Sequence, residues 1–153
     1  MANTFSQLYA QIIFSPQGRQ NLIKERIKSD VYKYIVGIIK NKDQKPMIIN
    51  GMPDHVHLFI GFSPDICISD LVREIKSNST NYINEQKLVA GKFSWQNGFG
   101  AFTYSKSQVS KVINYVQKQE EHHRKKSFKE EYMELLEKFD VDYKEEYLFE
   151  WYS

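Results

Sequence analysis

The stretch Pro53-Asp54-His55-Val56-His57-Leu58-Phe59-Ile60 carries two histidines separated by one residue. On a strand, side chains at i and i+2 share a face. Val56, Leu58 and Ile60 on the alternate positions predict such a strand, with its other face in a core. Two imidazoles held together in this way make half of a divalent-metal site and need at least one further ligand. Two surface histidines hydrogen-bonded to neighbours would show the same spacing, and the spacing leaves both readings open. The other histidines, His122 and His123, lie far downstream in a segment that also carries Tyr115 and Gln119.

Tyr115 and Gln119 stand four residues apart and are expected on one face of one helix. They lie beside the apolar stripe of Val109, Val112 and Val116, where a tyrosine can be an ordinary boundary residue or can present its hydroxyl outward. A phenol can act as a covalent nucleophile. A divalent ion held by His55, His57 and Gln119 would polarise a non-bridging phosphate oxygen. Attack by Tyr115 with departure of a 3′-hydroxyl would leave a 5′-phosphotyrosine and conserve the bond energy. The sequence has no glycine-rich phosphate loop followed by lysine, in keeping with chemistry that needs no external energy source.

These residues need a scaffold. Phe5 to Phe14 reads as a first strand ended by the turn cluster Ser15-Pro16-Gln17-Gly18. A helix is predicted from about Arg19, with Ile23, Ile27, Val31, Tyr34, Ile35 and Ile38 as its buried stripe and Gly37 allowing close packing. Lys45 to Asn50 and His55 to Phe62 form a hairpin across Gly51-Met52-Pro53-Asp54. A second helix buries Ile68, Leu71, Val72, Ile75, Ser79, Tyr82 and Ile83. A loop from Gly91 to Gly98, pinned by its aromatics, leads to a fourth strand, Phe99 to Tyr104, in which Gly100 marks a close approach or a bulge. The helix of Tyr115 follows, then a last helix from about Ser127 to Phe139. The aromatic tail from Tyr143 to Ser153 is expected to cover the core or reach a partner subunit. The order predicts an α+β, ferredoxin-like (RRM-like) two-layer sandwich: an antiparallel sheet with helices on one face, plus extra C-terminal helices. With no linker or repeat, residues 1–153 are expected to form a single catalytic domain, with 127–153 as a helical and aromatic extension.

With 153 residues, 41% of them hydrophobic, the chain can bury a sizeable core. A single cysteine, Cys67, excludes an internal disulfide, and we expect it to be half-buried in a reducing compartment. The start, Met1-Ala2-Asn3-Thr4-Phe5, lacks a signal-peptide pattern and no apolar run approaches a membrane span, so a cytoplasmic protein is expected, nucleoid-associated when bound to DNA. The net charge of +2 neither identifies nor excludes a nucleic-acid binder. Positive charge is focused in His122-His123-Arg124-Lys125-Lys126, while Glu130, Glu131, Glu134 and Glu137 begin an acidic region that partly hides it. His122 and His123 are expected on a solvated basic end. Together with Arg19, Lys118, Arg124, Lys125 and Lys126 they are candidate nucleic-acid contacts.

The segment from Pro53 to Ile60 resembles the His-hydrophobic-His (HUH) motif of single-tyrosine transposases of small bacterial insertion sequences and their relatives acting on repeated palindromes. Trp95 to Phe102 resembles their segment before the last strand, and Asn114 to His123 their nucleophile helix. Gly18-Arg19 after the first strand also fits, and the similarity covers roughly residues 5 to 130. The resemblance implies His55, His57 and Gln119 as metal ligands, Tyr115 as nucleophile, and Mg²⁺ or Mn²⁺ as cofactor. It also implies single-stranded DNA with hairpins as substrate, and a homodimer joined at sheet edges whose tyrosine helix can serve the partner's site. A tyrosine helix crossing a sheet is expected to leave a shallow groove. Two other classes remain open. One is a non-catalytic single-stranded nucleic-acid module using Tyr9, Phe14 or Phe59 on an open sheet face. The other is a metal-dependent phosphohydrolase with a water nucleophile.

Overall fold

The structure, a computed structural model, describes residues 3–152; Met1, Ala2 and Ser153, at the two ends of the stretches read above, lie outside the described residues. Four strands, β1 (Leu8–Phe14), β2 (Lys45–Met52), β3 (His55–Phe62) and β4 (Gly100–Thr103), form one antiparallel sheet in the order β2-β3-β1-β4. Helices α1 (Glu25–Asn41) and α2 (Ile68–Glu85) provide the two crossovers. This is the ferredoxin-like, α+β arrangement expected of the chain.

The period-two pattern decides the faces. Ile12 and Phe14 of β1 and Val56, Leu58 and Ile60 of β3 pack with Ile27, Val31, Ile35, Leu71 and Ile75 of α1 and α2. The alternate positions, Tyr9, Gln11 and Ile13 on β1 and His55, His57 and Phe59 on β3, look the other way. That second face is not open. Three further helices cover it: α3 (Val109–Gln117), α4 (Gln119–His123) and α5 (Phe128–Lys138). Phe59 packs under Val109, Val112 and Val116 of α3, and Ile13 and Phe102 under Phe128, Tyr132, Leu135 and Leu136 of α5. Of the three aromatics that a base-stacking module would use, Tyr9 alone is only half-buried. Phe59 is fully buried, and Phe14 faces α1 and α2.

Several local expectations change. The first helix starts at Glu25 rather than Arg19, because only a single 3-10 turn forms at Arg19–Asn21. Leu22 is then extended, and the Ile23 N–H donates to the Pro53 carbonyl at 2.8 Å, which carries the chain past the hairpin before the helix begins. Cys67 is exposed rather than half-buried. The last helix does begin after Ser127, whose hydroxyl accepts from the Glu130 N–H while the Glu130 carboxylate accepts from the Ser127 N–H. From the tail, Phe149 and Trp151 pack on Phe128 and Tyr132 of α5. Among the described residues no helix is long and apolar enough to cross a membrane.

Two glycines differ in what they do. Gly37 meets nothing within 4 Å and is exposed, so it does not mediate close packing. Gly100 does, since a Cβ there would stand 2.7 Å from the Tyr132 hydroxyl of α5. Gly37→Ala is therefore expected to stabilise the protein by about 0.5–1 kcal/mol through helix propensity. Gly100→Ala is expected to destabilise it by roughly 1–3 kcal/mol through overpacking. Urea unfolding of both variants checks the opposite signs.

Candidate active site

Asn50 of β2 lies opposite His57 in the register of the sheet. Its amide nitrogen donates to the carbonyls of Val116 and Gln117, each at 3.1 Å. Those are terminal carbonyls of α3, which a helix end otherwise leaves unpaired. The bond fixes the end of the tyrosine helix to the histidine-bearing hairpin. At Lys118 the backbone leaves helical geometry (φ −97°, ψ 30°) and α4 starts afresh at Gln119. Tyr115 and Gln119 are thus on two short helices rather than one, and the break turns Gln119 inward until it is fully buried.

Four side chains expected from the sequence meet here. His55 and His57 are both fully buried, not exposed. The His55 Nε2–H donates to Gln119 Oε1 at 3.0 Å. The rings of His57 and Tyr115 lie 6.0 Å apart, edge to face.

The centre of the cluster is Glu131, which along the sequence belongs to an acidic stretch. Glu131 of α5 is 2% exposed and accepts hydrogen bonds from every side. Its Oε1 lies 2.9 Å from His57 Nε2, 3.1 Å from His123 Nε2 and 3.3 Å from His55 Nε2. Its Oε2 accepts from the Gln119 amide at 3.2 Å and from the Tyr115 hydroxyl. A signal was available: Phe128, Tyr132, Leu135 and Leu136 form the stripe of α5, and Glu131 falls inside it. A carboxylate inside an apolar stripe needs a buried partner.

The basic end also differs from expectation. His123 points inward, with Nδ1 donating to the Lys126 carbonyl at 2.9 Å and Nε2 facing Gln119 and Glu131. The His122 ring stacks on Tyr115 with centroids 4.4 Å apart. Lys126 pairs with Glu134 at 2.6 Å. Arg19, Lys118, Arg124 and Lys125 are exposed.

A second ring of partners orients the imidazoles. Asp54 Oδ1 accepts from His55 Nδ1 at 2.7 Å. The Gln11 amide donates to His57 Nδ1 at 2.8 Å, and the Tyr104 hydroxyl donates to Gln11 Oε1 at 2.8 Å. Burial disfavours a charged His55, but the hydrogen bonds to Asp54 and Glu131 outweigh it and push His55 up to about 9. Burial holds His57 below its ordinary value. Burial opposes ionisation of Glu131 too, yet the field of His57 and the hydrogen bonds from His123, His55 and His57 keep it ionised. Burial, and then the Glu131 charge, hold the Tyr115 phenol well above its ordinary range.

The donor set fits a divalent cation. One nitrogen from each of His55 and His57 and one oxygen of Glu131 all lie within 4.8 Å of one another. A buried carboxylate among imidazoles, with Asp54 behind the first histidine, is the mixed nitrogen and oxygen environment that such ions take. Here the proton that charges His55 supplies the positive charge that Glu131 requires, and His57 adds a hydrogen bond from its Nε2–H. The roof is α5, so the face is enclosed rather than a shallow groove. Its approach is a cavity of about 320 Å³ that reaches Tyr115 and Glu131.

Residues 4–119 match the family described as "Transposase IS200 like". No curated protein matches the chain in sequence. Among solved structures, a candidate transposase of Deinococcus radiodurans R1 is 19% identical with a TM-score of 0.60, covering 76% of this chain and 94% of its own. A REP-associated tyrosine transposase bound to a REP hairpin is 14% identical with a TM-score of 0.61, covering 79% of this chain and 72% of its own. These two likenesses speak for the ferredoxin-like fold. The sequence match runs from before β1 to Gln119, through the histidine pair and the tyrosine helix, and by it the chain belongs to the IS200-like transposase family.

Proposed function

We propose that this protein cleaves and rejoins single-stranded DNA by transesterification, with Tyr115 as the nucleophile. The observation that carries the reading is the hydrogen bond from the Tyr115 hydroxyl to Glu131, whose other oxygen touches both strand histidines. A nucleophile and a set of metal donors share one carboxylate.

His55, His57 and Glu131, with the Gln119 carbonyl oxygen beside them, would hold Mg²⁺ or Mn²⁺. Bound there, the cation supplies Lewis-acid polarisation of a non-bridging phosphate oxygen. The residues do the rest. Asp54 and Gln11 fix the histidine rings through their inner nitrogens. The stacked His122 ring and the hydrogen bond to Glu131 hold the Tyr115 ring. A free Glu131 charge keeps the phenol protonated; neutralising that charge lowers its proton affinity. The phenol then gives its proton to solvent and its oxygen bonds to phosphorus as the P–O3′ bond breaks. The 3′-oxygen leaves with the bonding pair and takes up a proton. One ester replaces another, so the released hydroxyl can attack the 5′-phosphotyrosine in turn and join strands. Lys118, Arg124 and Lys125, exposed beyond the tyrosine, and Arg19 near the first turn suit the backbone of a hairpin beside the cut. That a solved structural neighbour was captured with a REP hairpin supports this substrate class.

A sheet edge suits a homodimer. β2 carries Pro46 and an irregular register at Pro46/Ile48, features that discourage pairing. β4 is the other edge, with Ala101 and Thr103 exposed, and is the edge proposed to pair across a two-fold axis.

Incubation with hairpin-bearing single-stranded DNA and Mg²⁺ should yield a denaturation-resistant protein–DNA adduct. Tyr115→Phe should lose it completely. His55→Ala and His57→Ala should reduce it to background with the fold intact by circular dichroism, as should a chelator. Asp54→Ala should weaken metal affinity by about 10- to 100-fold, read by titration. Cleavage that survives in Tyr115→Phe would instead indicate a water nucleophile.

The same sequence as blunt duplex should be inert at matched salt, because each unpaired step costs a few kcal/mol; equal rates on both forms would reject the single-stranded substrate. Sedimentation at micromolar concentration should show a dimer, and a monomer both with and without DNA would reject the edge pairing.

A further inference from the structure

The cavity that reaches Tyr115 is a cleft between two antiparallel helix faces. From α3 come Gln108, just before its first turn, Lys111 and Tyr115, at steps of three and four residues. From α5 come Glu131, Leu135 and Lys138, at steps of four and three. The two stripes run in opposite senses, so one end of the cleft holds the Tyr115 hydroxyl and Glu131 and the other holds Gln108 and Lys138. At 1.5 Å per residue the walls are about 10 Å long. The ring of Tyr104 lines the cleft, and its hydroxyl is tied down by Gln11. Val112 and Leu135 make the walls apolar midway. Apart from Glu131 at the inner end, one acid, Glu134, faces the cleft, and it is paired with Lys126. Its outer end is thus left with the ammonium groups of Lys111 and Lys138 and the Gln108 amide, all exposed.

That combination suits one nucleotide. The cavity of about 320 Å³ falls in the size range of small-ligand sites, about 300–1,000 Å³. An aromatic edge and apolar walls accept a base, an amide can bond its edge, and two ammonium groups meet the backbone phosphate that follows. The chemistry chooses between the two flanking nucleotides. In-line attack places the attacking oxygen, phosphorus and the leaving 3′-oxygen on one line. The nucleotide carrying the 3′-oxygen therefore lies beyond the phosphate from Tyr115. A cleft whose wall includes Tyr115 is on the near side.

We propose that the cleft between α3 and α5 seats the deoxynucleotide immediately 3′ of the cleaved bond, the one that keeps the phosphate and becomes joined to Tyr115. This assignment rests on the transesterification reading above and adds a specificity-determining subsite formed by Gln108, Lys111, Lys138 and Tyr104.

The test uses hairpin-bearing single-stranded DNA with one abasic residue placed either 3′ or 5′ of the bond that intact DNA shows to be cleaved. The rate of adduct formation is read for wild type and for Gln108→Ala/Lys111→Ala. The 3′ abasic substrate should react about tenfold more slowly, or slower still, with wild type, and the 5′ abasic one within about twofold of intact DNA. The double variant should be slow on intact DNA and should lose most of the 3′ abasic penalty, a coupling that a merely structural defect would not produce. Equal penalties at both positions, or a 3′ penalty undiminished in the variant, would overturn the subsite while the adduct upheld the wider reading. No adduct with intact DNA would overturn both.

Discussion

A single ionised carboxylate under a helix governs this half of the molecule. Glu131 is buried among His55, His57 and His123, with Gln119 and Tyr115 completing its hydrogen bonds. Removing such a group from water costs several kcal/mol unless its charge is matched, and removing one partner leaves the remainder unbalanced. The cluster is therefore a unit. The strand histidines accept their burial because the carboxylate is there, and the carboxylate accepts its own because the histidines are.

The apolar framework brings that unit together. Phe128, one turn ahead of Glu131, lies flat on the His55 ring at 4.1 Å and packs with Phe149 and Trp151. Tyr132, the residue after Glu131, closes on Gly100 of β4. Leu135 and Leu136 continue the contact with Ile13 and Phe102. Side chains flanking Glu131 thus set where its carboxylate reaches. On the other side, Asn50 holds the end of α3, and the break at Lys118 redirects the chain so that Gln119 and His123 both face inward. The two helix ends are positioned independently and converge on one oxygen pair.

The arrangement has a chemical consequence. In the protein alone, Glu131 bonds to the phenol and raises its proton affinity. The same carboxylate lies among the donors that fit a divalent cation. In the proposed reaction, a charge that restrains the nucleophile and would belong to the metal-binding set would tie reactivity to occupancy. The match to the transposase family ends at Gln119, so Glu131 and His123 belong to a part of the chain outside it.

Much of this was legible in the sequence. Alternation around His55 and His57 fixed the extent of β3 and which face each residue takes, because strand geometry has a period of two and needs no tertiary partner. Strand and helix order gave the ferredoxin-like topology, and the last helix was expected from about Ser127, where α5 begins. Type and spacing marked His55, His57, Tyr115 and Gln119 as candidates while leaving the bland readings open, and the fold brings the four side chains together. What lay over the second face could not be read there. Local pattern says that a surface is amphipathic, but not which distant helix covers it. Glu131 therefore read as part of an acidic tail, and His123 as part of a solvated basic end, since charge is counted along the chain and compensated in space. The helix break at Lys118 escaped for the same reason: the group that satisfies the end of α3 is Asn50, far away in sequence. Burial, the partners of each charge and the closure of the site are properties of tertiary packing, because each depends on the low-dielectric surroundings that only the assembled layers create.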